Sequence, residues 1–241
     1  MLLISLLYQK NLAYFIILSM HTGIFIEEAK ERFIGYVKID SQIEECYISS
    51  SSHLNKLINL KNKKVLLTEN KGKNLRTRYT IQAVANKNSI ILVNLNFVNS
   101  IVYEYLKQRY KNLEVKREVN IQNYKSDFYV PANKTIIEVK SMLSESETAT
   151  FPSIYGERAL RQLEKIYWLL QEGYNIDYYF IFLNSNIKNI TLNNKYTEFN
   201  ILFRQCLDKG LNVKYFYAKY KDNNFIVNEI KNSKSILIKS I

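Results

Sequence analysis

The sequence predicts a β-barrel followed by an α/β domain, and three observations carry that reading. From Gly23 to about Asn96 the chain is a series of short apolar runs separated by polar turns. After Asn99 strand-like runs alternate with helical periodicity, and a hydrophobic share of 47% over 241 residues is ample for a packed core. The expected divisions are an N-terminal extension at 1–22, a barrel at 23–98 and an α/β domain at 99–241.

Residues 2–19 are mostly apolar but are broken by Gln9, Lys10 and Asn11, and no small-residue cleavage site follows Ile16-Ile17-Leu18. A membrane span needs about 20 uninterrupted apolar residues, so no membrane segment is expected. The segment reads as an extension or as a start placed too early, with Met20 as the alternative first residue. Strand-like runs follow at 33–39, 45–48, 64–67, 78–84 and 89–93. Five short strands suggest a small barrel of the OB type. Between the third and fourth runs lies Lys71-Gly72-Lys73-Asn74-Leu75-Arg76-Thr77-Arg78-Tyr79, a basic loop containing glycine. Lys71, Lys73, Arg76 and Arg78 suit a phosphate grip, with Tyr79 available to stack on a base. A solvated hairpin loop explains the same charges, and both readings stay open.

The second half opens with a helix through Ile101, Val102, Tyr105 and Leu106, followed by strand-like runs at 115–121, 126–130 and 135–140. An acidic polar stretch at 144–150 leads to Pro152. Ala159, Leu163, Ile166, Tyr167 and Leu170 then mark a helix that Gly173 stops. A strand at 178–183, a helix at 196–208 and a strand at 213–217 complete the pattern. Helical crossovers imply parallel pairing among the later strands, beside an antiparallel hairpin formed by the earlier ones. Arg158, Arg161 and Lys165 fall on one side of the helix after Pro152, where they line either a DNA path or a solvated face.

The formal charge is +12, from 34 Lys and Arg against 22 Asp and Glu. That balance favours a polyanionic partner, DNA first with RNA not excluded, over an acidic small substrate. A composition rich in Lys, Asn, Ile and Tyr is the competing source of the basicity. Cys46 and Cys206 match no disulfide or zinc spacing, and His21 and His53 form no cluster, so a reduced cytoplasmic protein is expected. With so few soft ligands, any metal is held by oxygen, which points to Mg²⁺ or Mn²⁺.

The chemistry concentrates at Asp127, Glu138 and Lys140. Side chains alternate along a strand, so Glu138 and Lys140 point the same way, and a short hairpin brings Asp127 beside them. Two carboxylates, joined by the backbone carbonyl of Val139, suit a hard cation, and the lysine suits charge developing on a phosphate. The competing reading is a buried ion pair of Glu138 with Lys140. Glu104 and Glu157 are further possible ligands or ordinary surface residues on helices.

These segments, in this order, resemble the sugar fermentation stimulation protein family, SfsA. The resemblance runs from about Gly23 to Tyr220. It is carried by Arg117-Glu118-Val119, Ser126-Asp127-Phe128, Ile137-Glu138-Val139-Lys140-Ser141, Phe151-Pro152, Glu157-Arg158 and Leu163, with Asn94 and Asn99 ahead of the first helix. It implies an N-terminal OB-like domain, a C-terminal domain of the PD-(D/E)xK nuclease fold, and DNA binding linked to regulation of sugar metabolism genes. This chain departs from the family pattern in three places. Ile48 to Leu54 stand in place of a Cys-Pro-Asn-Thr-Gly-Ser-Met-like segment, Ser153 in place of Asp, and Gln162 in place of His. The expected function is DNA binding with a possible Mg-dependent phosphodiesterase site. A non-catalytic transcriptional regulator and an RNA-processing nuclease are the alternatives, and the oligomeric state is open.

Overall fold

The computed structural model describes residues 13–16, 20–29, 33–49, 54, 57–72, 75–86, 89–154, 156–221, 224–230 and 238–239. A short strand, β1 (Ala13–Ile16), precedes the barrel, whose strands are β2 (Met20–Glu28), β3 (Ile34–Ile39), β4 (Gln42–Ile48), β5 (Lys64–Glu69) and β6 (Tyr79–Asn86). They pair in the order β4-β3-β2-β5-β6, and a parallel β4–β6 contact closes the circuit. This is the strand order of an OB barrel. Alternation explains the closure: Phe25, Val37, Cys46, Val65, Leu67, Ile81 and Ala83 point inward and are buried. Gly35 lets β3 pass this core, because a Cβ there would lie 2.8 Å from both Ile48 and Phe25.

The count of five strands holds, but its membership shifts by one. Met20–Glu28 supplies the strand that pairs with both β3 and β5, opening ahead of the expected boundary at Gly23. The run at 89–93 becomes β7 (Ser89–Leu92), which pairs with β6 outside the closed ring. Its Leu92 N–H also donates to the Leu183 carbonyl at 3.2 Å, which ties the barrel to the second half.

Helix α1 (Leu95–Arg109) follows, capped by Asn94, whose side chain accepts from the Phe97 N–H and donates to Gln82. Next come β8 (Lys116–Arg117), β9 (Asn120–Ile121), β10 (Tyr124–Lys125), β11 (Phe128–Val130) and β12 (Thr135–Met142). The run expected as one strand at 115–121 is broken, because Glu118 takes a φ of 50° that no strand continues through. The acidic stretch yields a strand of its own, β13 (Thr148–Phe151), followed by α2 (Gly156–Gln171), β14 (Asn175–Phe182), β15 (Asn189–Leu192), α3 (Thr197–Asp208), β16 (Asn212–Lys221), β17 (Asn224–Glu229) and β18 (Ile238–Lys239).

The main sheet runs β1-β17-β16-β14-β12-β11-β8, with β12, β14 and β16 parallel and β11–β12 an antiparallel hairpin, as the crossover argument requires. One face packs against α1 and shares a continuous apolar core with the barrel, from Val37 and Leu67 through Ile101 and Val102 to Tyr179 and Phe216. The other face lies under α2 and α3, where Leu163, Ile166, Phe199 and Phe203 meet Ile136, Tyr178 and Phe180. Gly156 opens α2 against the ring of Tyr196, so any side chain there would displace the helix that covers the candidate site.

Candidate functional site

A turn at Pro131–Asn133, closed by Lys134 in the left-handed region, folds β11 back on β12 with Phe128 opposite Ile137 and Val130 opposite Thr135. Continuing that register sets Asp127 against Glu138. The Asp127 carboxylate takes the place of a strand partner, its Oδ2 accepting the Val139 N–H at 2.8 Å, while Asn99 of α1 donates to Oδ1 at 3.4 Å. On β12, Glu138 and Lys140 share a face with Ile136 and Met142 and lie under α2. The three residues expected to form the site are together.

Two neighbours that sequence reasoning did not select complete it. Glu138, only 3% exposed, receives three donors: Lys140 Nζ at 2.7 Å and Gln162 Nε2 at 2.5 Å on Oε1, and the Tyr124 hydroxyl at 2.5 Å on Oε2. The Gln162 carbonyl accepts a second Lys140 N–H at 2.6 Å, and its amide reaches the Tyr124 hydroxyl at 3.3 Å. Lys140 also lies over the Tyr178 ring, 5.5 Å from its centroid. The available signals were weak: Gln162 stood out only as a departure from the family pattern, and Tyr124 as an aromatic three residues before Asp127.

Electrostatics set this cluster apart. Two carboxylates face one ammonium, so with both ionised the cluster would hold one excess negative charge in a poorly hydrated place. Burial, with Glu138 second, pushes the Asp127 carboxyl up from 3.8 to about 7, against the opposing pull of Lys140, the Val139 N–H and Asn99. Burial opposes the charge on Lys140, yet Glu138, Tyr178 and Asp127 together carry it above its ordinary value. Tyr124 is held well above the usual phenol range by burial and by Glu138. The carboxylate oxygens of Asp127 and Glu138 suit a hard divalent cation.

The remaining predicted residues lie elsewhere. Glu104 pairs with Lys107 along α1 at 2.7 Å, and the Glu157 side chain is 90% exposed beside Arg161 at 4.0 Å. No group of three metal-ligating acidic, histidine or cysteine side chains forms among the described residues. Arg158 and Arg161 are exposed on α2, whereas Lys165 donates to the Asn123 carbonyl at 2.9 Å and braces the β9–β10 hairpin. The basic loop joins the fourth and fifth barrel strands, β5 and β6, and Lys73 falls outside the described residues. Lys71 is exposed; Arg76 faces Glu45 at 3.8 Å, and Arg78 pairs with Glu69 at 2.9 Å. Tyr79 corrects an expectation: it is 5% exposed, its ring turned inward against His21, with Arg78 covering it. Strand alternation puts it in the core, where no base can stack on it.

A closed five-stranded OB-like barrel joined to an α/β domain, with Asp, Glu and Lys gathered on a hairpin beside a parallel strand, defines a two-part protein of OB-like barrel and α/β half-barrel. The chain belongs to the sugar fermentation stimulation protein family: the family model described as "Sugar fermentation stimulation protein RE domain" matches residues 96–224. A sugar fermentation stimulation protein homolog of Thermosipho melanesiensis is 28% identical over 170 residues, covering 70% of this chain and 74% of that protein. One from Sulfolobus acidocaldarius is 26% identical over 211 residues, covering 87% and 89%. Among solved structures, Pyrococcus furiosus SfsA in complex with Ca²⁺ superposes with a TM-score of 0.77 at 19% identity, covering 90% of this chain and 96% of that one.

Proposed function

We propose that this protein binds DNA and hydrolyses phosphodiester bonds at a divalent-metal site formed by Asp127, Glu138 and the Val139 carbonyl. The observation that carries the reading is the convergence of two carboxylates, half-buried Asp127 and buried Glu138, on the single ammonium of Lys140. A buried charge without a partner is unfavourable by several kcal/mol in order of magnitude, and a cation removes that penalty. A bound Mg²⁺ or Mn²⁺ would supply an activated water and neutralise charge on the phosphate. Lys140, kept protonated, faces the same space and stabilises negative charge on the phosphate oxygens. That Pyrococcus furiosus SfsA was solved with Ca²⁺ supports divalent-ion binding in this fold.

The barrel supports the binding half of the reading. In OB barrels the loop between the fourth and fifth strands contacts oligonucleotides, and here that loop carries Lys71, Lys73, Arg76 and Arg78 within a chain of charge +12. Arg158 and Arg161 extend positive charge along α2 on the side of the site. A cytoplasmic location agrees with the free, buried Cys46 and Cys206, and no helix among the described residues is long and apolar enough to cross a membrane.

One observation favours a second reading, binding without cleavage: Glu138 is already satisfied by Lys140, Gln162 and Tyr124. Purified protein offered single- and double-stranded DNA, and RNA, with Mg²⁺ or Mn²⁺ separates the two. The catalytic reading expects metal-dependent cleavage that an Asp127→Asn variant loses by orders of magnitude while its DNA affinity stays within a few-fold. Salt-sensitive binding with no cleavage by the wild type would establish the regulator.

A further inference from the structure

We propose that Tyr124 and Gln162 are positioning residues that set the affinity of this site for a divalent cation; the inference rests on the metal reading above. The geometry that supports it is a closed set of hydrogen bonds. Gln162 spans the acid and the base with opposite ends of one amide, its N–H₂ on Glu138 at 2.5 Å and its carbonyl on Lys140 at 2.6 Å. An amide can serve both only in this orientation, because the carboxylate accepts and the ammonium donates. Tyr124 takes the other Glu138 oxygen at 2.5 Å and receives the second amide proton at 3.3 Å.

The consequence for Glu138 is specific. Two donors crowd Oε1 and one occupies Oε2, so the carboxylate is fixed in rotation and its remaining acceptor capacity lies at Oε2, on the side of Tyr124. A metal-ligating carboxylate oriented in advance by outer hydrogen bonds binds its ion more tightly than a free rotor, and losing such a partner typically weakens affinity by about 10- to 100-fold. Each residue is anchored independently of the other. Tyr124 is 2% exposed on β10, and Gln162 sits one residue before the buried Leu163 of α2.

The test uses Mn²⁺ alone, by calorimetry on the full-length protein, so that it does not depend on cleavage. Tyr124→Phe and Gln162→Met should each raise the Mn²⁺ dissociation constant about 10-fold. The double variant should lose less than the product, because both act on one carboxylate. Tyr105→Phe is the control: it removes a part-buried tyrosine–carboxylate hydrogen bond of 2.6 Å, to Glu229, on the opposite face of the sheet. It should lower the melting temperature yet leave Mn²⁺ affinity within about twofold. Wild type and both site variants binding Mn²⁺ equally would overturn the positioning role and leave the metal reading standing. A wild type that binds no Mn²⁺ would sink the metal reading, and the positioning role with it.

Discussion

The main sheet carries a cluster of charged side chains on each face, and the two differ in their balance of carboxylates and cations. Under α1, Asp177 accepts from Lys214, from Asn212 at 2.7 Å and from the Tyr179 hydroxyl at 3.3 Å, while Glu229 accepts from Tyr105 at 2.6 Å and Arg109 at 3.0 Å. Two carboxylates meet two cations, each in its own pair. Under α2, Asp127 and Glu138 meet Lys140 alone. The first set ties α1 to the sheet through Tyr105 and Arg109; the second carries the surplus of carboxylates on which the proposed cation site rests. The proposed site is thus distinguished by its charge imbalance and not by buried charge as such.

The largest expected effect tests this contrast through one edit made on both faces. Asp177→Asn leaves the Lys214 ammonium buried without its partner, and should reduce unfolding free energy by about 3–5 kcal/mol in urea titrations. Asp127→Asn removes a repulsion instead, and should stabilise the metal-free protein at neutral pH. If both variants lose stability alike, the two networks are equivalent and the charge argument fails.

A smaller effect lies in pH dependence. The Asp127 carboxyl is raised in the folded protein to about 7, above its value in the unfolded chain. Its protonated form therefore contributes stability that is fully present below about pH 4 and is lost as pH rises through about 7. Metal-free wild type should lose stability across that window relative to Asp127→Asn, and saturating Mg²⁺ should shrink the loss, because the ion binds the ionised carboxylate. Parallel pH profiles for the two proteins would count against the raised carboxyl.

The smallest effect carries the comparison to the barrel, where the same balance rule operates on the surface. Each phosphate contact by a cation steepens the salt dependence of DNA affinity by about 0.9 in log–log slope. Lys71 forms no ion pair among the described residues, so Lys71→Ala should lower the slope by nearly that amount. Arg78→Ala should lower it less, since Glu69 already opposes that charge at 2.9 Å. Equal losses would mean that the loop rearranges on binding and frees Arg78.

The hairpin and its Asp127, Glu138 and Lys140 were legible because strand alternation and a four-residue turn leave few alternatives. Gln162 and Tyr124 were not, since a lone glutamine on an amphipathic helix reads as its solvated side and a two-residue strand leaves no periodicity. Asp177 did carry a signal, a single acid in the apolar run of β14, but its partner Lys214 lies on another strand and only the parallel register joins them. The barrel was legible in strand count and type. Its first strand, legible as a strand start at Thr22 to Ile26, was left out of the five because Met20–Glu28 follows directly on an apolar leader that blurred its alternation, while the Tyr79 error came from reading a core aromatic by its basic neighbours.

The pairing of β1 with β17 sets the earliest part of the chain against nearly the latest, Tyr14 opposite Ile226 and Phe15 opposite Phe225. During synthesis at roughly 5–20 residues per second, the barrel strands can close while β1 still lacks a partner, and the sheet gains its last edge only after β17 leaves the ribosome. Contacts so distant in sequence form late and slowly. The order of assembly is thus written into the topology: the barrel comes first, the parallel strands follow, and β1 joins β17 at the close.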